Sequence, residues 1–369
     1  MTAHTQAPSA DQAPPRAARS RTRRLLSVGA SIAIVVGVFW YFLPQFANIT
    51  DVWSSIRAMT WVEIGVLLVA ALWNLASYGL VLVPTMPGLT LGQAFVVTES
   101  STAVSNTIPG GSAIGIGMSY GMYSSWGFSR SRATVSVLLS GIWNNFVKLG
   151  MPVLAIALLA LQGTPSAGRL VAGLLGIAGL AGAIGVFALM LRSETTARRT
   201  GQVAAQIAAP LFRLLKKPAP TGWERATTKF RGRTILLLRA RWHWLTAATL
   251  HSHASLFVLL LLSLRYAGVP AGTVGWVEVL AVFAFARLVT AIPITPGGLG
   301  LVEIALIAGL TAAGGAGAPV AAGVLMYRAL SYVLPVPLGV LTYLYWQRNT
   351  RWRRPPNTAP RTALVPEQT

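Results

Sequence analysis

The sequence has no cysteine, which excludes disulfides, thiolate metal sites and a cysteine nucleophile and says nothing about compartment. Acid is nearly as scarce: 9 Asp and Glu stand against 30 Lys and Arg, and charged residues make up 11% of the 369. Soluble domains carry about 25%. No Gly-rich phosphate loop, HExxH pair or Gly-x-Ser-x-Gly elbow occurs, so no cofactor and no catalytic group is expected. His251 and His253 are two apart, which on a helix turns them in different directions and argues against a metal site.

What is present in quantity is apolar: 54% of the chain, with a mean hydropathy of +0.59. That composition belongs to a membrane protein. Runs long enough to cross hydrocarbon, about 20 residues each, lie at residues 25–43, 61–83, 133–161, 168–191, 244–266 and 318–346. These predict six transmembrane helices. The first could also be read as a signal peptide, but its apolar core exceeds an ordinary h-region and no A-x-A-like site follows, so a retained anchor is expected.

A net charge of +21 raises nucleic acid as a partner, and the placement of the charge argues against it. Of the 30 basic residues, 22 fall in residues 1–24, 192–241 and 348–361, all bordering spans. This positive-inside pattern predicts cytoplasmic termini in a multi-pass plasma-membrane protein. Residues 1–24, rich in Ala, Pro and Arg, read as a disordered tail, and residues 347–369 as a second cytoplasmic tail. Residues 192–241 hold twelve basic and two acidic residues with Leu211, Phe212, Leu214 and Leu215 interleaved. They are expected to rest on the anionic inner leaflet as a surface helix or flexible arm.

Two Pro-Gly-Gly sequences interrupt apolar regions, at Pro109, Gly110 and Gly111 and again, 187 residues on, at Pro296, Gly297 and Gly298. The same offset superposes Val137, Leu138, Val153 and Leu154 on Val324, Leu325, Val340 and Leu341. Each unit, residues 61–161 and 244–346, is then a span, a Pro-Gly-Gly element and a long span. With both the N-terminal tail and residues 192–241 inside, the first element must cross an even number of times. It is either a re-entrant hairpin or a pair of helices, and the cluster Arg130 and Arg132 that follows it agrees.

The expected fold is therefore an all-α polytopic membrane protein: six transmembrane helices and two broken or re-entrant elements arranged as an inverted repeat. In such a layout the site lies between repeats, where broken helices expose backbone donors to a shared cavity. The N–H groups after Gly111 and Gly298 would meet an anion there. Pro-Gly-Gly as a simple tight turn between two ordinary spans is the competing reading.

Within the sequence, "PITPGGLGLVE" followed by "LMYRALSYVLP" resembles the membrane domain of bacterial lysylphosphatidylglycerol synthase and its stand-alone flippase-like relatives. The resemblance covers nearly all of residues 25–346 and places matching positions at Pro293, Thr295, Pro296, Gly297, Gly298, Gly300, Glu303 and Arg328. A looser match falls on Pro109, Gly110 and Gly111. It implies transfer between leaflets of an anionic or aminoacylated phospholipid or a lipid-linked molecule, by a single domain over residues 25–346. The aminoacyltransferase domain of the full synthase has no counterpart after Trp346, so lipid aminoacylation is not expected.

Charges within spans carry most of the site information, since each is costly at a helix centre, about 2.5–3.5 kcal/mol on insertion scales. Arg287 and Arg328 are candidates to bind a phosphate with paired donors. Glu303 is a partner for either Arg or a proton carrier, and an ion pair that only fixes the fold is the alternative. In "TESSTAVSNT", Glu99 and Asn106 stand among hydroxyls that could meet a headgroup or tie helices together. Asn144, Asn145 and Lys148 are expected to line the same cavity. The expected function is a lipid flippase or transporter. The alternatives are a glycosyltransferase using lipid-linked sugars, with Asp51 or Glu63 as its external acid, and a non-catalytic partner of a separate lipid-modifying enzyme.

Overall fold

The computed structural model describes residues 49–108, 111–163, 167–214, 218, 221–290 and 298–354. Among these every regular element is helical: α1 (Ile49–Arg57), α2 (Trp61–Thr85), α3 (Leu91–Thr107), α4 (Gly111–Ser125), α5 (Arg130–Leu161), α6 (Ala167–Arg192), α7 (Glu194–Leu214), α8 (Trp223–Tyr266), α9 (Trp276–Val289), α10 (Leu301–Ala312), α11 (Gly317–Arg328) and α12 (Pro335–Arg348). Five stretches are long and apolar enough to cross a membrane: Trp61–Thr85, Arg130–Leu161, Gly173–Arg192, Trp223–Tyr266 and Gly317–Arg348. They account for five of the six expected spans. The sixth, residues 25–43, lies outside the described residues. Large apolar side chains face outward along these helices, among them Val69 and Leu72 on α2 and Leu174 and Leu175 on α6. Exposure on that scale is stable in hydrocarbon, not in water.

The helices begin where the sequence supplies caps. Thr60 and Glu63 form a capping box on α2, with Thr60 N–H donating to Glu63 Oε2 at 2.7 Å. Thr90 and Gln93 do the same for α3, and Ser129 caps α5. Glu63, one of the two acids considered for catalysis, is thus held as a helix cap.

Both Pro-Gly-Gly regions lie between helices too short to cross. At 1.5 Å per residue, the 17 and 15 residues of α3 and α4, and the 14 and 12 of α9 and α10, reach about 18–26 Å against a hydrocarbon core of about 30 Å. The partners in each pair run antiparallel in contact: a side chain at Gly115 would meet Ser101 and Ser105, and one at Gly309 would meet Val282. Each pair is two short antiparallel helices, a geometry that fits the re-entrant form named by the sequence reading better than a pair of full spans.

The 187-residue offset reappears in the element bounds. Arg130–Leu161 and Gly317–Arg348 are both 32 residues long and start 187 apart. The second is interrupted by a π-helical turn, Ala329–Val333, where Leu334 N–H reaches back to Ala329 O at 2.9 Å. Pro335 follows and has no N–H to continue the ladder.

Packing exchanges partners between the halves. The first hairpin's α3 packs against α12, the second hairpin's α9 packs against α5, and α2 packs against α8. At Gly339 the approach of α12 to α3 is so close that a Cβ would collide with the Glu99 carbonyl oxygen and Ala103 Cβ. Gly339→Val should therefore destabilise by about 3 kcal/mol, since overpacking forces backbone movement. Gly141→Ala, where a Cβ meets nothing within 4 Å, should stay within about 0.5 kcal/mol. Unfolding midpoints in detergent check both.

The described part of residues 192–241 is helical, α7 and the first half of the 44-residue α8, and Ala197 of α7 shares a buried cluster with Phe230 of α8. Arg231 Nε donates to Leu191 O at 2.9 Å, so a guanidinium satisfies carbonyls that end α6.

Candidate functional site

Side chains hold the start of α10, just after the second break. Gly300 has φ +84° and caps α10, a conformation glycine adopts without strain. Its N–H donates to Glu303 Oε2 at 2.8 Å. The other carboxylate oxygen, Oε1, accepts from Arg328 Nε at 2.6 Å. This ion pair is well buried, with side-chain exposures of 3% for Glu303 and 11% for Arg328.

From Arg328 the network passes to the first half. The guanidinium lies over the Tyr332 ring, 4.6 Å from its centroid; the π turn brings these two residues together. Tyr332 O–H donates to Asn106 O at 2.5 Å, and Asn106 Nδ2 donates to Tyr332 O at 3.0 Å. Asn106 is the penultimate residue of α3, just before the first Pro-Gly-Gly. One chain of contacts therefore links the start of α10 to the end of α3. Arg328, Glu303 and Asn106 are brought together as a bridge between the two broken elements.

Arg287 and Lys148 form a second group. Arg287, on α9, has its Nε buried without a hydrogen-bond partner. It lies within electrostatic reach of Lys148 on α5, His253 on α8, and Tyr78 and Tyr327 on α2 and α11. Among the described residues no carboxylate is within ion-pair distance of Arg287 or Lys148. Two partly desolvated cations thus share one interior region. Tyr78 also feels Glu99, which is fully buried on α3 with neither carboxylate oxygen hydrogen-bonded. Thr98 Oγ1 beside it in sequence is also buried and unpartnered.

Other candidates fall elsewhere. Asn145 is exposed and lines an apolar crevice of about 710 Å³ between α5, α6 and α8, apart from Lys148. Its neighbour Asn144 is half-buried. Gly111 opens α4 and packs against the Val104 carbonyl; Gly298 has φ +71°. Pro109, Gly110, Pro293, Thr295, Pro296 and Gly297 lie outside the described residues. Of the hydroxyls, Ser100 bonds Thr342 across to α12 at 2.9 Å, while Ser101, Ser105 and Thr107 turn back to carbonyls of their own helix. The side chain of Asp51 is not among those described.

Sequence reasoning missed Tyr332, Tyr78 and Tyr327. It also missed a polar seam between α2 and α8, where Asn74 Nδ2 donates to Ser255 Oγ at 2.9 Å. The signal for the seam was present: Asn74 and Ser77 in one span, Ser252 and Ser255 in another, at matching spacing.

Comparison with known proteins gives one family model, described as the lysylphosphatidylglycerol synthase TM region, which matches residues 28–339. Curated proteins give no match.

Proposed function

Starting from a chain that belongs to the family of the lysylphosphatidylglycerol synthase transmembrane region, and so from a multi-pass membrane protein of a lipid-handling family, we propose that it moves a lipid with an anionic headgroup between leaflets. The cargo class is an anionic or aminoacylated phospholipid or a lipid-linked phosphate.

The observation that carries this reading is the pairing of Arg287 and Lys148. A guanidinium with a buried, unpartnered Nε and an ammonium within its electrostatic reach, with no carboxylate at ion-pair distance from either among the described residues, would be stabilised by an anion between them. A phosphodiester fits, since guanidinium donors match its oxygens in pairs. Broken helices flank this region in both halves, and the exchange of helix partners between halves supports a pseudo-two-fold, inverted arrangement. Rocking of one half against the other would open the region to each leaflet in turn. The basic α7–α8 hairpin faces the cytoplasm in this reading, by the positive-inside rule, and the membrane is a bacterial plasma membrane. No catalytic role is assigned, since Glu63 serves as a cap.

The test is leaflet exchange of fluorescent phosphatidylglycerol, and of its lysylated form, in liposomes carrying the purified protein. Exchange at least tenfold above empty liposomes is expected for one of the two, with phosphatidylcholine slower. Exchange no faster than in empty liposomes for both anionic and lysylated lipid would overturn phospholipid as cargo. Weight would then pass to a lipid-linked sugar phosphate, assayed in the same way.

A further inference from the structure

Away from the central cations, a crevice of about 520 Å³ opens between the end of α2, the start of α5 and the middle of α8. Three arginines line it: Arg132 from α5, Arg233 and Arg241 from α8. On α8 the residues facing it are Arg233, Leu236, Leu237, Ala240 and Arg241, spaced three, four, seven and eight from the first. That spacing is one face of a helix. A guanidinium thus stands at each end of an apolar floor, with a third across from them.

None of the three has an acidic partner among the described residues. Arg132 donates to Pro87 O and lies over the Phe128 ring, which fixes its position at the rim. Arg233 and Arg241 have no hydrogen-bond partner among the described residues, so their donors are available.

Depth identifies the occupant. All three elements change from polar to apolar at this level: α2 leaves its apolar run at Thr85, α5 enters one after Arg132, and α8 enters one after Arg241. Trp242 and Trp244 follow at once and are 56% and 65% exposed, as aromatic side chains are at a membrane interface. The crevice therefore lies where headgroups lie. A soluble anion would meet the arginines but leave the floor of Leu236, Leu237 and Ala240 facing water or acyl chains.

We propose that this crevice is a binding site for an anionic glycerophospholipid, its phosphate held by Arg132, Arg233 and Arg241 and its glycerol and upper acyl carbons on the α8 floor. The site stands apart from Arg287 and Lys148 and does not depend on lipid translocation.

The test follows the unfolding midpoint of the full chain in neutral detergent during titration with short-chain phosphatidylglycerol. All variants are built on Arg287→Met/Lys148→Met, so that the central cations contribute nothing. Phosphatidylglycerol should raise the midpoint saturably, while phosphatidylcholine of the same chain length and inorganic phosphate should not. R132Q/R233Q/R241Q should weaken the apparent affinity at least tenfold, and R198Q/R199Q/R225Q, outside the crevice, should leave it within twofold. Leu236→Trp keeps every charge and fills the floor, and should also weaken binding at least tenfold; it decides the matter if the triple variant fails to fold. Equal losses in both triple variants would reduce the effect to the general basic field and overturn the site. So would unchanged affinity in Leu236→Trp, or inorganic phosphate as effective as the lipid, which would mark a site for the free anion.

Discussion

Arg287→Met should abolish most lipid exchange while leaving the protein as stable as before, or more so. The guanidinium is partly desolvated, with its Nε buried and unpartnered, and it lies within electrostatic reach of another cation, Lys148. Both circumstances destabilise the protein when no anion is bound: burial penalises an unpaired charge, and like charges repel. Methionine fills a similar volume without either penalty. A residue that lowers stability where it stands is explained by what it binds. The expected result is a fall in exchange of at least tenfold with an unfolding midpoint equal to or above that of the native chain. Lys148→Met should move both quantities in the same directions. Arg287→Lys keeps the charge but loses the paired donors, and should retain part of the exchange. A midpoint several degrees lower in Arg287→Met would make Arg287 a structural residue. Undiminished exchange would remove it from the cargo site.

How much of this was legible beforehand depends on what leaves a mark in sequence. Breaks leave one, because Pro-Gly-Gly in an apolar run has few structural solutions, and the offset between Pro109 and Pro296 matched the expected spans 133–161 and 318–346, which the structure shows as two stretches of equal length, Arg130–Leu161 and Gly317–Arg348. Charges leave one, because each is costly in hydrocarbon. Glu303 and Arg328 were therefore suspected as partners, and the structure pairs them at 2.6 Å. The inward face of a span leaves almost none. In water a buried face is apolar and the other polar, and the period shows which is which. In lipid both faces are apolar, so α6 reads like any other span although its apolar stretch Gly173–Arg192 contributes almost nothing to the buried core.

Contacts across the halves were illegible for a related reason. The Gly339 approach to α3 and the Asn106 bond to Tyr332 depend on how two distant helices meet, which no local pattern encodes. The basic segment was legible only in outline. Charge density suggested a surface helix or flexible arm, and the structure adds that α8 runs unbroken from Trp223 into a candidate span. Its length, about 66 Å at 1.5 Å per residue, exceeds what hydrocarbon can hold. The same rigid helix that sets His253 beside Arg287 thus carries Arg233 and Arg241 to the interface.

Breaking the Glu303–Arg328 pair should have the opposite signature to Arg287→Met. Here two charges are buried together, and removing one leaves the other uncompensated, a loss of about 3–5 kcal/mol. In Arg328→Ala a carboxylate only 3% exposed remains, and the stacking on Tyr332 is lost with it. In Glu303→Leu the guanidinium remains and the Gly300 N–H loses its acceptor as well. The double variant Glu303→Leu/Arg328→Met buries no charge, so its loss should be smaller than that of either single variant, leaving mainly the missing cap, about 1 kcal/mol. Unfolding midpoints of the three variants give the coupling directly. The two arginines then separate by sign. On that outcome Arg328 acts as a structural tie between the two broken elements, whose loss is felt first as instability, whereas the loss of Arg287 is felt only as failed exchange, as the proposed function requires. Single variants at 303 and 328 that unfold like the native chain but no longer exchange lipid would reverse that assignment and place Arg328 at the cargo.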